Sequence, residues 1–218
     1  MERQQMIRTW IRLGAVSGIV ASLSYPTLIL VPLPLPAVAA VAALFGMSLG
    51  IAAVGGYQLI ALNRRTVTLQ IGAASNVIAG VMVLCMLFIQ LSVNATMEPL
   101  LAAAQVDGTE EVTRLIWAVV DQVQLAFDVV WDMYISIGTL LIAWNLRRHP
   151  RFGPAFGWSG ILLAALLLTL NLVTFPTPPD QAGLIDIGPF VGLWAFAMAI
   201  QVVRSLKWAD EVLEHQNA

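Results

Sequence analysis

The sequence predicts an all-α, polytopic transmembrane helix bundle. Three observations carry this. Of 218 residues, 59% are hydrophobic and only 11% are charged, against about 25% charged in a typical soluble domain. The apolar residues fall in long continuous runs and do not alternate, which excludes a closed barrel. The mean hydropathy is +0.81. A soluble fold of this size could not cover its apolar surface with so few charges.

The counts exclude several function classes. A net charge of −2 leaves no basic field, so no nucleic-acid partner is expected. Cys85 is the single cysteine, so no intrachain disulfide forms. His149 and His215 lie in charged segments, which leaves no histidine for zinc or haem ligation within the membrane. No metal or other cofactor is expected.

A helix needs about 20 mainly apolar residues to cross a bilayer. Six runs meet this, at about 10–31, 37–62, 69–93, 116–146, 155–175 and 187–206, and together they make 1–218 a single transmembrane domain. The first run is longer than the apolar core of a cleavable signal, about 7–15 residues, so it reads as an uncleaved first helix. Arg3, Arg8 and Arg12 precede it, and Pro32, Pro34 and Pro36 form a stiff link to the second. Arg64 and Arg65 separate runs two and three. Between three and four, Met97 to Val106 reads as a short surface helix that Gly108 ends. Thr109 then caps helix four, with Glu110 and Glu111 in its first turn. From Glu110 to Leu146 that helix would be about 55 Å long at 1.5 Å per residue. It therefore outlasts a hydrocarbon core of about 30 Å. Arg147, Arg148 and Arg151 follow it, and Pro176, Pro178 and Pro179 follow helix five. Asp186 is placed to cap helix six at Gly188-Pro189, while Arg204 and Lys207 close it.

Ten of the eleven basic residues fall on one side of six such spans, and only Arg114 falls on the other. Lys and Arg mark the cytoplasmic side in short loops, so both termini are expected in the cytoplasm. Trp10, Tyr57, Trp144, Trp158 and Trp208 suit an inner interfacial belt, and Tyr25 and Trp117 an outer one. Gly14 with Gly18, Gly46 with Gly50, and Gly188 with Gly192 are small residues four apart, suited to close helix contact.

The candidate site is an acidic stripe on helix four. Asp121, Asp128 and Asp132 are seven and four apart and fall within about 40° of helical arc. Gln124 lies on the same flank. Asp128 and Asp132 reach into the apolar zone, where an aspartate costs about 2.5–3.5 kcal/mol at the centre of a span. They must face the bundle or a wet cavity. No Lys, Arg or His lies at that depth, so a proton, a bound cation or neutral hydrogen-bond donors must satisfy them. Neutral polar groups at matching depth are Gln90 and Asn94 on helix three, and Thr169, Asn171 and Thr174 on helix five. Trp131 and Tyr134 flank the acidic pair. These residues predict a polar pocket open to the outside. The run Arg147 to Arg151 sets topology or holds anionic headgroups.

The segment Asn171-Leu-Val-Thr-Phe-Pro-Thr-Pro-Pro179, with Gly183, Asp186, Gly188-Pro189 and Gly192-Leu-Trp194, resembles uncharacterised bacterial six-helix integral membrane proteins of unknown function. The resemblance spans residues 125–195. It implies a bacterial inner-membrane protein and brings no catalytic residues. Three functions stay open. The first is proton- or cation-coupled transport of a small solute at Asp128 and Asp132, by a chain short for a monomeric transporter, so that a homo-oligomer is expected. The second is an intramembrane enzyme using the two aspartates as acid and base on a lipid or isoprenoid-like substrate. The third is a structural or accessory subunit.

Overall fold

The computed structural model describes residues 2–215, except for the side chains of residues 98, 106 and 107. It is all-α. The helices are α1 (Glu2–Leu30), α2 (Leu35–Asn63), α3 (Val67–Asp107), α4 (Glu110–Leu146), α5 (Gly153–Thr174), α6 (Gly188–Arg204) and α7 (Leu206–His215). Consecutive helices from α1 to α5 pack side by side, and α6 returns to lie against α1. Five helices, α1 to α5, are long and apolar enough to cross a membrane. A sixth span exists if α6 and α7 count as one, because a 49° bend separates them. The sequence-predicted sixth run to Leu206 is thus broken at Ser205, whose hydroxyl donates to the Gln201 carbonyl at 2.7 Å.

A separate surface helix at Met97 to Val106 does not form, because α3 runs on unbroken through Pro99 to Asp107. Gly108 ends it with φ of 73°, a left-handed conformation that suits glycine. At the other end the Thr66 hydroxyl caps α3 by accepting from the Leu69 N–H at 3.1 Å. Thr109 occupies the N-cap position of α4 but makes no side-chain cap. Glu110 instead pairs with Arg114 one turn on, at 2.6 Å. Asp186 accepts from the Gly188 N–H at 2.8 Å, but the N-cap position of α6 is Ile187 and no side chain caps it, so Asp186 forms a local turn one residue before the expected cap.

Backbone proximity holds the helices in register. A Cβ on Gly14 would sit 2.5 Å from the Gly55 Cα, so α1 and α2 touch main chain to main chain. Gly46 and Gly80 do the same for α2 and α3, each Cβ meeting the other's carbonyl oxygen at under 3 Å. Gly138 of α4 packs onto the Asn76 side chain of α3. Of the glycine pairs read from the sequence, Gly188 and Gly192 do not meet another helix. The packing partner of a glycine is set by the neighbouring helix, not by its own spacing.

Charge separates the two ends. Arg8 pairs with Asp210 and Glu214 of α7 at 3.1 Å, and Arg12 with Asp210 at 3.0 Å. Thr66 donates to Asn145 at 2.7 Å, and Arg151 to the Arg204 carbonyl at 3.2 Å. These bonds gather the chain start, the 64–66 and 147–152 connections and α7 at one end, called here the basic end. The connections 31–34, 108–109 and 175–187 occupy the opposite, acidic end.

His149 at the basic end departs from its sequence context. It lies in an arginine-rich connection, yet it is only 1% exposed. Its ring meets Phe152 and Trp208 edge-on, each at 5.1 Å. Nδ1 accepts from the Arg151 N–H at 3.2 Å, so the proton of the neutral ring belongs on Nε2.

Two predictions follow from this packing. Gly55→Val should destabilise the detergent-solubilised protein by about 1–3 kcal/mol through overpacking, whereas Gly192→Val, with nothing within 4 Å, should leave the melting temperature unchanged. Burial lowers the His149 pKa from 6.5 to about 4. The unfolded chain therefore takes up a proton at higher pH than the folded one. This contribution to stability is intact above pH 6.5 and falls as pH drops toward 4. Melting curves across that window should be flatter for His149→Phe than for the parent.

Candidate functional site

Two helices build the site and one connection covers it. α4 must present a continuous polar face for Asp121, Gln124 and Asp128 to line one space, and their three- and four-residue spacing does this. α3 brings Gln90 alongside, and the 175–187 connection folds over the top.

Two cavities meet there. The first has a volume of about 230 Å³. On α4 it is lined by Asp121, Gln122, Gln124, Leu125 and Asp128. Gln90 borders it from α3, and Pro176, Thr177, Pro178 and Gln181 roof it. The second has a volume of about 370 Å³ and lies toward α1 and α2. Its walls are mostly apolar, including Tyr25, Leu28, Ile29, Ala42, Met86 and Leu87, with Asn94 at one edge. Asp128 and Gln90 line both cavities.

Asp128 has neither an ion pair nor a hydrogen bond within the described chain. The charges that reach it most strongly are those of Asp186 and then Asp180, both negative. The nearest basic residues along α4 are Arg114 and Arg147, about 21 Å and 28 Å away at 1.5 Å per residue. Both are occupied. Arg114 pairs with Glu110. Arg147 stacks its guanidinium over Trp144 at 3.5 Å and faces Trp158 at 4.6 Å.

The other expected site residues separate into groups. Asp121 is exposed and lines only the first cavity. Asp132, one turn below Asp128, lines neither cavity and faces the Asn171 side chain of α5. Asn171 is buried and donates to the Leu167 carbonyl at 3.1 Å, which holds its amide in place. Trp131 belongs to an aromatic cluster with Tyr25 at 6.0 Å and Phe45 at 6.4 Å between ring centroids. Its buried Nε1 has no hydrogen-bond partner among the described residues. Tyr134 is partly buried and borders neither cavity. Thr169 is exposed, and Thr174 donates to its own helix at the Leu170 carbonyl. Asp128 borders both cavities, while Asp132 faces Asn171 within reach of the Asp128 charge.

The role of Tyr25 as a cavity wall is the principal one that sequence reasoning missed: it sits partly buried against Phe45 at 5.2 Å, on the wall of the second cavity. No spacing on α1 signals this, because the contact is made across helices. Gln122, Thr177 and Gln181 were missed as well, being polar residues of ordinary loop and helix-surface type.

A partly buried carboxylate, Asp128, with amide neighbours and a more exposed Asp121 on the same cavity suits a proton or a small cation. Among the described residues, no three His, Cys, Asp or Glu side chains come together as a metal site. Comparison with protein-family models, with curated proteins and with solved structures finds no match to this chain.

Proposed function

We propose that this chain is a multi-pass protein of a bacterial inner membrane that binds a proton or small cation at Asp128 and couples that binding to the movement of a small solute. In this reading α6 and α7 supply the sixth crossing. Both termini and the basic end lie in the cytoplasm, because Lys and Arg concentrate on that side of short loops. The acidic end with its two cavities then faces outward. The homo-oligomer expected of so short a chain belongs to the same proposal.

The observation that carries this is the position of Asp128. It has no partner within the described chain, yet it borders two cavities at once. An intramembrane carboxylate without a counter-charge is costly unless something arrives to neutralise it. A purely structural aspartate would be tied by hydrogen bonds. Of the two carboxylates, only Asp128 lines these cavities, which favours a single binding carboxylate over an acid–base pair.

The test is flux in liposomes that hold a trapped pH-reporting dye. A pulse of Na⁺, K⁺ or tetramethylammonium should change the internal pH with the parent protein. Asp128→Asn should reduce the response to that of empty liposomes. Asp121→Asn, at an exposed position, should keep most of it. A parent response no larger than that of empty liposomes, or an Asp128→Asn response equal to the parent's, overturns the proposal.

A further inference from the structure

We infer that the solute recognised at this site is an amphiphilic organic cation, with one positive charge joined to an apolar body. The inference rests on the reading of Asp128 as a cation site and adds the chemistry of what fills the space beside it.

The two cavities differ in character and share their junction. The first is walled largely by carboxylates, amides and a hydroxyl. The second is walled by Leu28, Ile29, Ala42, Met86 and Leu87 with the Tyr25 ring. Asp128 and Gln90 stand where they meet. An inorganic ion would use the carboxylate and leave the apolar space without a role. A neutral apolar molecule would use that space and leave the carboxylate without a counter-charge. A molecule with a cationic head and an apolar body satisfies both at once. Its head lies at Asp128, in contact with the amide-lined cavity, and its body extends past Tyr25 toward α1 and α2. Together the cavities fall within the range of about 300–1,000 Å³ that small-molecule sites occupy, mostly apolar with a few placed polar groups.

The same geometry supplies coupling without a second site. One carboxylate carries one negative charge. A proton or small ion on Asp128 and the head of an organic cation cannot neutralise it together. Occupancy is therefore exclusive, and each displaces the other.

Equilibrium dialysis of the full chain in nanodiscs tests this, with empty nanodiscs subtracted. The probes are hexyltrimethylammonium, tetramethylammonium and neutral hexanol. Hexyltrimethylammonium should bind saturably and about tenfold or more tighter than tetramethylammonium, since its chain leaves water for the apolar cavity. Asp128→Asn should weaken hexyltrimethylammonium by about tenfold or more, through loss of the charge pair. Ile29→Trp, which narrows the second cavity from an exposed wall position, should weaken hexyltrimethylammonium and leave tetramethylammonium unchanged. Equal affinity for the two ammonium probes with no effect of Ile29→Trp overturns the amphiphile inference while leaving Asp128 as a cation site. Absence of any Asp128-dependent cation binding overturns both. Hexanol binding as tightly as hexyltrimethylammonium shows an apolar cavity alone and also overturns the inference.

Discussion

Removing a charge from water costs more than any single apolar contact returns, and the arrangement of this chain follows from that cost. Its helices can afford almost no charge along their length. Basic residues gather at one end, where Arg8 and Arg12 meet Asp210 and Glu214 and where Arg147 rests on two indoles. Acidic residues gather at the other, in the 175–187 connection and at the start of α4. Asp128 and Asp132 stand outside this sorting. Asp132 faces a buried amide. Asp128 faces space.

The packing makes that exception durable. Main-chain contact between Gly14 and Gly55, and between Gly46 and Gly80, brings α1, α2 and α3 so close that small side chains fill their interfaces. The aromatic cluster of Tyr25, Phe45 and Trp131 spans α1, α2 and α4 beside Asp128. α4 is thereby held with its acidic stripe turned toward α3 and the 175–187 connection. A functional group held by packed helices is better oriented than one on a loop.

Much of this was legible in the sequence, and what was not has physical causes. The apolar runs gave the helices because length and composition act locally. The stripe of Asp121, Asp128 and Asp132 was legible because helical periodicity puts them on one face. Which of them would meet a cavity was not, since it depends on how α3 and α5 sit against that face. Asn171 stands beside Asp132, whereas Asp128 borders the cavities. The contacts of Tyr25 were not legible because its partners lie on α2 and α4. The burial of His149 was not legible in its charged segment because Phe152 and Trp208, which bury it, come together only when α7 folds back. The continuity of α3 through Pro99 was hidden by the ordinary expectation that proline ends a helix. Pairing along α4 outlasts that local penalty.

The account stands on Asp128 being the group that receives the cation. Infrared difference spectra with ¹³C-labelled aspartate, recorded on the protein in nanodiscs as tetramethylammonium is added, observe that group directly. The prediction is a cation-induced shift of an aspartate carboxyl band that is present in the parent and in Asp121→Asn and absent in Asp128→Asn. An unchanged difference spectrum in Asp128→Asn would contradict it.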